Sequence, residues 1–228
     1  MVQGPHLLAL LDRAAQSHNF PCVFNAGAGE GGYSPLLLAL PGVKSVVESD
    51  FGFRDQSPRR IDARQVFFCA SLASIPLPDR KFDLILCTEV LEHIHEHEQA
   101  LDEITRVLAS GGWLLITVPT PPAPPDPAHV REGYRPEELS AMLAQRGFQI
   151  IETRWCMHYF FRFLFGNWAR LPWKPRLLIR GLSALDKLLP LGPPMDLMIL
   201  AKLEAVPAPA SSPVNRRVHF RYHASRQG

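Results

Sequence analysis

The run from Val23 to Leu38, VFNAGAGEGGYSPLLL, places four glycines within six residues directly after a short apolar segment. Glycine at that density lets the backbone turn sharply and approach a ligand closely, and the apolar segment before it reads as a buried strand. The spacing fits two patterns at once. Gly27, Gly29 and Gly32 match GxGxxG, whereas Gly27, Gly29 and Gly31 match GxGxG, so the loop alone does not separate a dinucleotide from another ligand of the same turn.

The flanking pattern sets the fold class. Residues 5–18 read as an amphipathic helix, and apolar, β-branched runs follow at PCVFNA, VKSVVE, VFFCAS, FDLILCTE, WLLITVP, FQIIETRWCM and MDLMILAKLE. Helical patterns separate several of them. In EHEQALDEITRVLASGG the positions Ala100, Leu101, Ile104, Val107 and Leu108 share one face, and Gly111 and Gly112 are expected to stop the helix. RPEELSAMLAQRGF has proline near its first turn, early acids and Arg146-Gly147 at its end. Strands alternating with helices mean an α/β, Rossmann-like fold: an open, mainly parallel seven-stranded sheet with helices on both faces. At 228 residues and 46% hydrophobic content the chain supports one such domain, expected over 1–204, with a late helical insertion at 159–190 and a flexible basic tail at 205–228.

Charge and cysteine content exclude several classes. A net charge of +2 gives no basic footprint, so no nucleic-acid partner is expected. Cys22, Cys69, Cys87 and Cys156 form no C-x-x-C pair, which argues against a zinc ribbon, a dithiol redox site or a disulfide framework and for buried structural thiols. The N-terminus lacks signal-peptide features and no apolar stretch approaches 18 residues, so no transmembrane span is expected and the protein is placed in the cytoplasm.

Polar residues at the strand ends choose among ligands. Asn25 puts a polar side chain two positions before the first glycine, where a dinucleotide strand stays apolar, and points toward a ligand with an amino-acid-like group. Glu48, 21 residues past Gly27, is suited to both hydroxyls of a ribose, with Asp50 as the substitute. Ser71 and Leu72, after the third strand, would lie beside an adenine.

The ordered segments VFNAGAGEG, VVESD, CASLASIPLPDRKFDLILCTEVLEHI and ALDEITRVLASGGWLLITVP resemble the class I S-adenosylmethionine-dependent methyltransferases of the type-11 or type-12 kind, strongly over Val23–Pro119 and weakly to Leu203. The resemblance implies S-adenosyl-L-methionine as cofactor, held by Asn25, Gly27, Ala28, Gly29, Gly31, Glu48, Ser71, Leu72 and Thr88. It also marks departures: Asn25 and Ser71 stand where family members usually carry acids, which implies weaker cofactor binding and keeps alive a catalytically inactive, methyltransferase-like binding or scaffold protein as the alternative.

Methyl transfer from a sulfonium needs a base mainly for hydroxyl acceptors. TEVLEHIHEHEQ supplies candidates, of which His93 is expected to be the catalytic base. Glu89, Glu92, His93 and a later histidine, His129 or in reserve His158, resemble the carboxylate and histidine set of ubiquinone-biosynthesis O-methyltransferases and small-RNA 2'-O-methyltransferases; acids and histidines opening a helix are the competing reading, and no metal is assigned. The acceptor is expected to be a small molecule, glycan or lipid-linked intermediate methylated on oxygen. The proline-rich stretch 119–134 reads as a lid or substrate-side loop. The 159–190 segment carries seven aromatics, six Lys or Arg and one acid, Asp186, so it reads either as a cap over the acceptor pocket or as a cap with peripheral membrane contact.

Overall fold

In the computed structural model the described residues are 3–55, 58–123, 126–157 and 192–204, together with Gly181 and Leu189. The expected insertion 159–190, apart from those two residues, and the tail 205–228 lie outside them, as does His158. Seven strands form one sheet: β1 (Cys22–Ala26), β2 (Ser45–Ser49), β3 (Gln65–Phe68), β4 (Phe82–Thr88), β5 (Leu108–Pro119), β6 (Phe148–Cys156) and β7 (Asp196–Leu203). Their order is β3-β2-β1-β4-β5-β7-β6. The first five run parallel, while β7 pairs antiparallel with both β5 and β6. The order reverses beside β1, so the carboxyl ends of β1 and β4 open a crevice at the switch point where such sheets take ligands.

Helices cover both faces. On one side α1 (Gly4–Ala15) and α2 (Ser34–Leu38) bury Leu7, Leu10, Leu11 and Leu37 against Val23, Val46, Leu84 and Leu86. On the other, α3 (His97–Val107) and α4 (Pro136–Gln145) bury Leu101, Ile104, Leu139 and Leu143 against Phe24, Ile85, Leu114 and Ile199. Side chains alternate faces along each strand, so Leu84 and Leu86 serve one layer and Ile85 and Cys87 the other. The expected face of α3 holds: Ala100, Leu101, Ile104 and Val107 are fully buried, each large apolar side chain contributing about 1.5–3 kcal/mol.

Two expectations change. The glycines at 111 and 112 do not stop α3, which ends at Val107; they lie in β5, where the register jumps from Phe82↔Leu108 to Leu84↔Trp113. A bulge absorbs the extra residues, with Gly111 at φ 75°, a conformation that favours glycine. Among the cysteines, Cys87 and Cys156 are buried and Cys22 half-buried, but Cys69 is exposed, because β3 ends at Phe68 and leaves it in the following loop.

Candidate functional site

The carboxyl ends of β1, β2 and β4 surround a cavity of about 880 Å³. One end is built from Asp50, Phe51, Ser71 and Leu72, the other from Gln3, Tyr33, Glu89 and His93, with the glycine loop between. Gly27 has φ 74°, and a Cβ there would come within 2.3 Å of Val90 Cγ2, so the loops after β1 and β4 close on each other only over glycine. The amides of Gly27 and Ala28 both donate to the Ser49 carbonyl at 2.9 Å, which pins the loop to the end of β2.

Of the residues expected to hold the cofactor, Gly27, Ala28, Gly29, Ser71, Leu72 and Thr88 line this cavity, as does His93. Gly31 does not; it helps close the turn, its amide donating to the Ala28 carbonyl. Asn25 and Glu48 do not line it either, and strand periodicity gives the reason. Asn25 shares a face with Val23, and Glu48 with Val46, so both side chains point into the layer under α1 and α2. They are register partners there, and Asn25 Nδ2 donates to Glu48 Oε2 at 3.1 Å. Ser34 Oγ adds a bond at 2.7 Å and Gln65 Nε2 one at 2.6 Å, leaving Glu48 with no exposure. An aspartate at 25 would set two buried carboxylates against each other, whereas asparagine supplies the donor that Glu48 requires. Asp50 is the carboxylate in the wall instead, accepting the amides of Gly29 at 2.8 Å and Gly52 at 2.7 Å. A carboxylate offers about four acceptor positions, so capacity remains for hydroxyls.

The opposite end is electrostatically different. Glu89, at φ 53°, lies in the wall and accepts a bond from Thr117 Oγ1 at 2.7 Å. Behind it Asp196 is 2% exposed; its Oδ2 accepts bonds from Gln3 Nε2 and the Cys156 thiol, and its carboxyl is hydrogen-bonded to that of Glu89. Burial first, then the adjoining Glu89, holds the Asp196 carboxyl well above the usual range. Tyr33 donates to Gln3 Oε1 at 2.7 Å, completing a Tyr33–Gln3–Asp196 chain that seats the start of α1 over the cavity.

Glu92 is wholly buried, and neither of its carboxylate oxygens has a partner. Burial, followed by Glu89, pushes its pKa up to about 8. His93 Nδ1 lies 2.9 Å from the Ala128 carbonyl and so carries the hydrogen, which puts the lone pair of the neutral ring on Nε2, 3.8 Å from Glu92. Glu92, His93 and His129 bring one ligand atom each within 4.8 Å of one another. Glu89, the fourth member of the expected set, is turned to Thr117. The described part of the proline-rich loop packs here, the Val130 amide donating to the Glu92 carbonyl, and its described residues do not line the cavity.

Residues 24–116 match the family model of the type-11 methyltransferase domain. A protein of Mycolicibacterium smegmatis named "Probable S-adenosylmethionine-dependent methyltransferase" is 30% identical over 149 residues, 60% of this chain and 55% of that protein. Over these residues the chain is similar to the class I S-adenosylmethionine-dependent methyltransferases. The demethylmenaquinone methyltransferase of Clavibacter sepedonicus is 35% identical over 117 residues, 49% of this chain and 45% of that protein. The chain thus spans about half the length of the curated relatives it matches. An S-adenosylmethionine-dependent methyltransferase from Mesorhizobium loti shares the fold, with a TM-score of 0.62 at 17% identity over 89% of this chain and 98% of that one. Among the described residues no helix is long and apolar enough to cross a membrane.

Sequence reasoning missed Gln3, Tyr33 and Asp196 and ranked Glu48 above Asp50. Asp196 had a signal, a lone acid opening an otherwise apolar strand, and Asp50 is the first residue past β2. Gln3 had none.

Proposed function

We propose that this methyltransferase-family chain binds S-adenosylmethionine in the 880 Å³ cavity and transfers its methyl group to an oxygen of a small-molecule or glycan acceptor. The observation that carries the reading is the junction of the glycine loop with Asp50: a loop that tolerates no Cβ at Gly27, beside a wall carboxylate with free acceptor capacity. The donor carries an electrophilic methyl on a sulfonium, and in-line displacement demands position more than proton chemistry. Asp50 accepts the ribose hydroxyls, Ser71 and Leu72 border the adenine, and the glycine loop passes beneath the amino-acid portion. Glu48 and Asn25 support that loop from below. At the far end His93 Nε2 takes the acceptor's proton as the new bond forms.

A second reading is favoured by the two unpartnered oxygens of Glu92: a divalent cation held by Glu92, His93 and His129, which would acidify an acceptor hydroxyl. The test of the main reading is calorimetric titration with S-adenosylmethionine and, separately, NADH, followed by methyl transfer from labelled donor. Micromolar binding of the methyl donor alone is expected; binding of NADH, or of neither by folded protein, would overturn it.

A further inference from the structure

The proline-rich loop reaches the site without entering it. None of its residues from Asp126 to Tyr134 lines the cavity, yet the segment is fastened to the 91–93 turn and to the end of β5. At its root the fully buried Tyr134 donates its amide to the Pro119 carbonyl at 2.9 Å and its hydroxyl to the Leu91 carbonyl at 3.3 Å, with the Arg131 guanidinium 4.4 Å over its ring. Gly133, at φ 140°, passes so close to β5 that a Cβ would come within 2.2 Å of the Pro119 carbonyl oxygen. Farther along, the Val130 amide donates to the Glu92 carbonyl at 2.9 Å, and the His129 ring stands edge-on to that of His93 with centroids 4.6 Å apart. At the tip Asp126 makes a tight turn, its Oδ1 accepting the Ala128 amide at 2.8 Å and its carbonyl the His129 amide at 3.1 Å. That turn aims the Ala128 carbonyl at His93 Nδ1, 2.9 Å away.

A carbonyl oxygen only accepts, so this contact forms only when Nδ1 carries the ring's hydrogen, and the neutral ring then keeps its lone pair on Nε2. An imidazole left to solvent populates both tautomers and favours the one with hydrogen on Nε2, which has no lone pair there. We propose that the 126–134 segment is a strap that acts on methyl transfer through His93: Asp126 and Ala128 are positioning residues that select the tautomer whose Nε2 accepts the acceptor's proton. The proposal rests on the reading of His93 as the base. In the step it serves, the acceptor oxygen bonds the methyl carbon, the sulfur keeps the electron pair of the broken bond, and the hydroxyl proton moves to Nε2. Nδ1 holds its hydrogen on the Ala128 carbonyl throughout. One hydrogen bond of ordinary strength biases the tautomer ratio by about fivefold to tenfold.

The test reads the ring directly and needs no acceptor. The full chain, carrying isotope-labelled histidine, freed of divalent ions with EDTA and held at about pH 8, where an ordinary histidine is neutral, is examined by long-range proton–nitrogen correlation NMR. The His93 signals are assigned from a His93→Gln spectrum. The wild type is expected to show a hydrogen-bearing Nδ1 and a bare Nε2. In Asp126→Ala that preference should fall about fivefold or more, whereas Asp126→Asn, whose Oδ1 accepts the same Ala128 amide, should retain it. Asp126 is half exposed, so both variants are expected to fold. Their affinity for S-adenosylhomocysteine should stay within about twofold of wild type, because the strap does not line the cavity. Hydrogen on Nε2 in the wild type, or a tautomer ratio unmoved in Asp126→Ala while only Tm falls, overturns the proposal. So does Asp126→Asn behaving like Asp126→Ala, since the lost charge and not the turn would then be responsible. Failure of the folded wild type to bind S-adenosylhomocysteine would remove the donor reading, while the His93 tautomer in the free protein would still decide the strap.

Discussion

The two ends of the cavity handle buried charge in opposite ways. Beneath the Asp50 end, Glu48 is fully enclosed and accepts bonds from Asn25, Ser34 and Gln65, which ties β1, β2, β3 and the first residue of α2 into one unit. At the Glu89 end Asp196 is as deeply enclosed but pairs its carboxyl with that of Glu89, and Glu92, fully enclosed, has no hydrogen-bond partner on either carboxylate oxygen. A satisfied network fixes backbone; an unsatisfied one holds electrostatic capacity in reserve. The first suits a rigid cradle for a donor, and the second suits a group that arrives with the acceptor.

This contrast can be broken at its strongest point first. Gly27→Ala is expected to lower donor affinity at least about a hundredfold in calorimetric titration, since the new Cβ collides with Val90 and φ 74° strains a side chain. Glu48→Ala comes next. It strands three buried donors and should cost about 3 kcal/mol, a loss of roughly 6–12 °C in Tm by calorimetry. If Glu48 instead met the ribose, affinity would fall and Tm would hold. Asp50→Asn gives the mirror image, an expected loss of donor affinity of about tenfold with Tm lowered by no more than about 2–4 °C.

The smallest effect is a slope rather than a midpoint. Glu92 has its folded pKa raised to about 8, so between the ordinary carboxylate range and that value the native state holds more protons than the unfolded chain. Stability therefore falls as pH rises through that window. Glu92→Gln should flatten the decline, and the Tm difference between variant and wild type should grow from pH 5 to pH 8. An unchanged slope would mean that Glu92 is paired in solution.

Much of this was legible in the sequence. Apolar runs and glycine turns located all seven strands, because a sheet covered on both faces leaves continuous apolar segments. What failed was direction within a strand. Asn25 and Glu48 stand near strand ends, a position that suggests the crevice, but a period of two turns both into the helix layer, and the first residue beyond β2, Asp50, reaches the cavity. The bulge in β5 escaped because paired glycines after a helical pattern signal a helix end equally well. Asp196 and Gln3 meet across 193 residues, a contact that no local pattern encodes.

The most direct measurement is a crystal structure of the complex with S-adenosylhomocysteine. The expected result is a ribose whose hydroxyls lie within hydrogen-bonding reach of Asp50, with the sulfur directed toward Glu89 and His93. A nucleoside seated on Glu48, or lying with its ribose at the Glu89 end, would contradict the division of the cavity into a finished donor end and an acceptor end that waits for its partner.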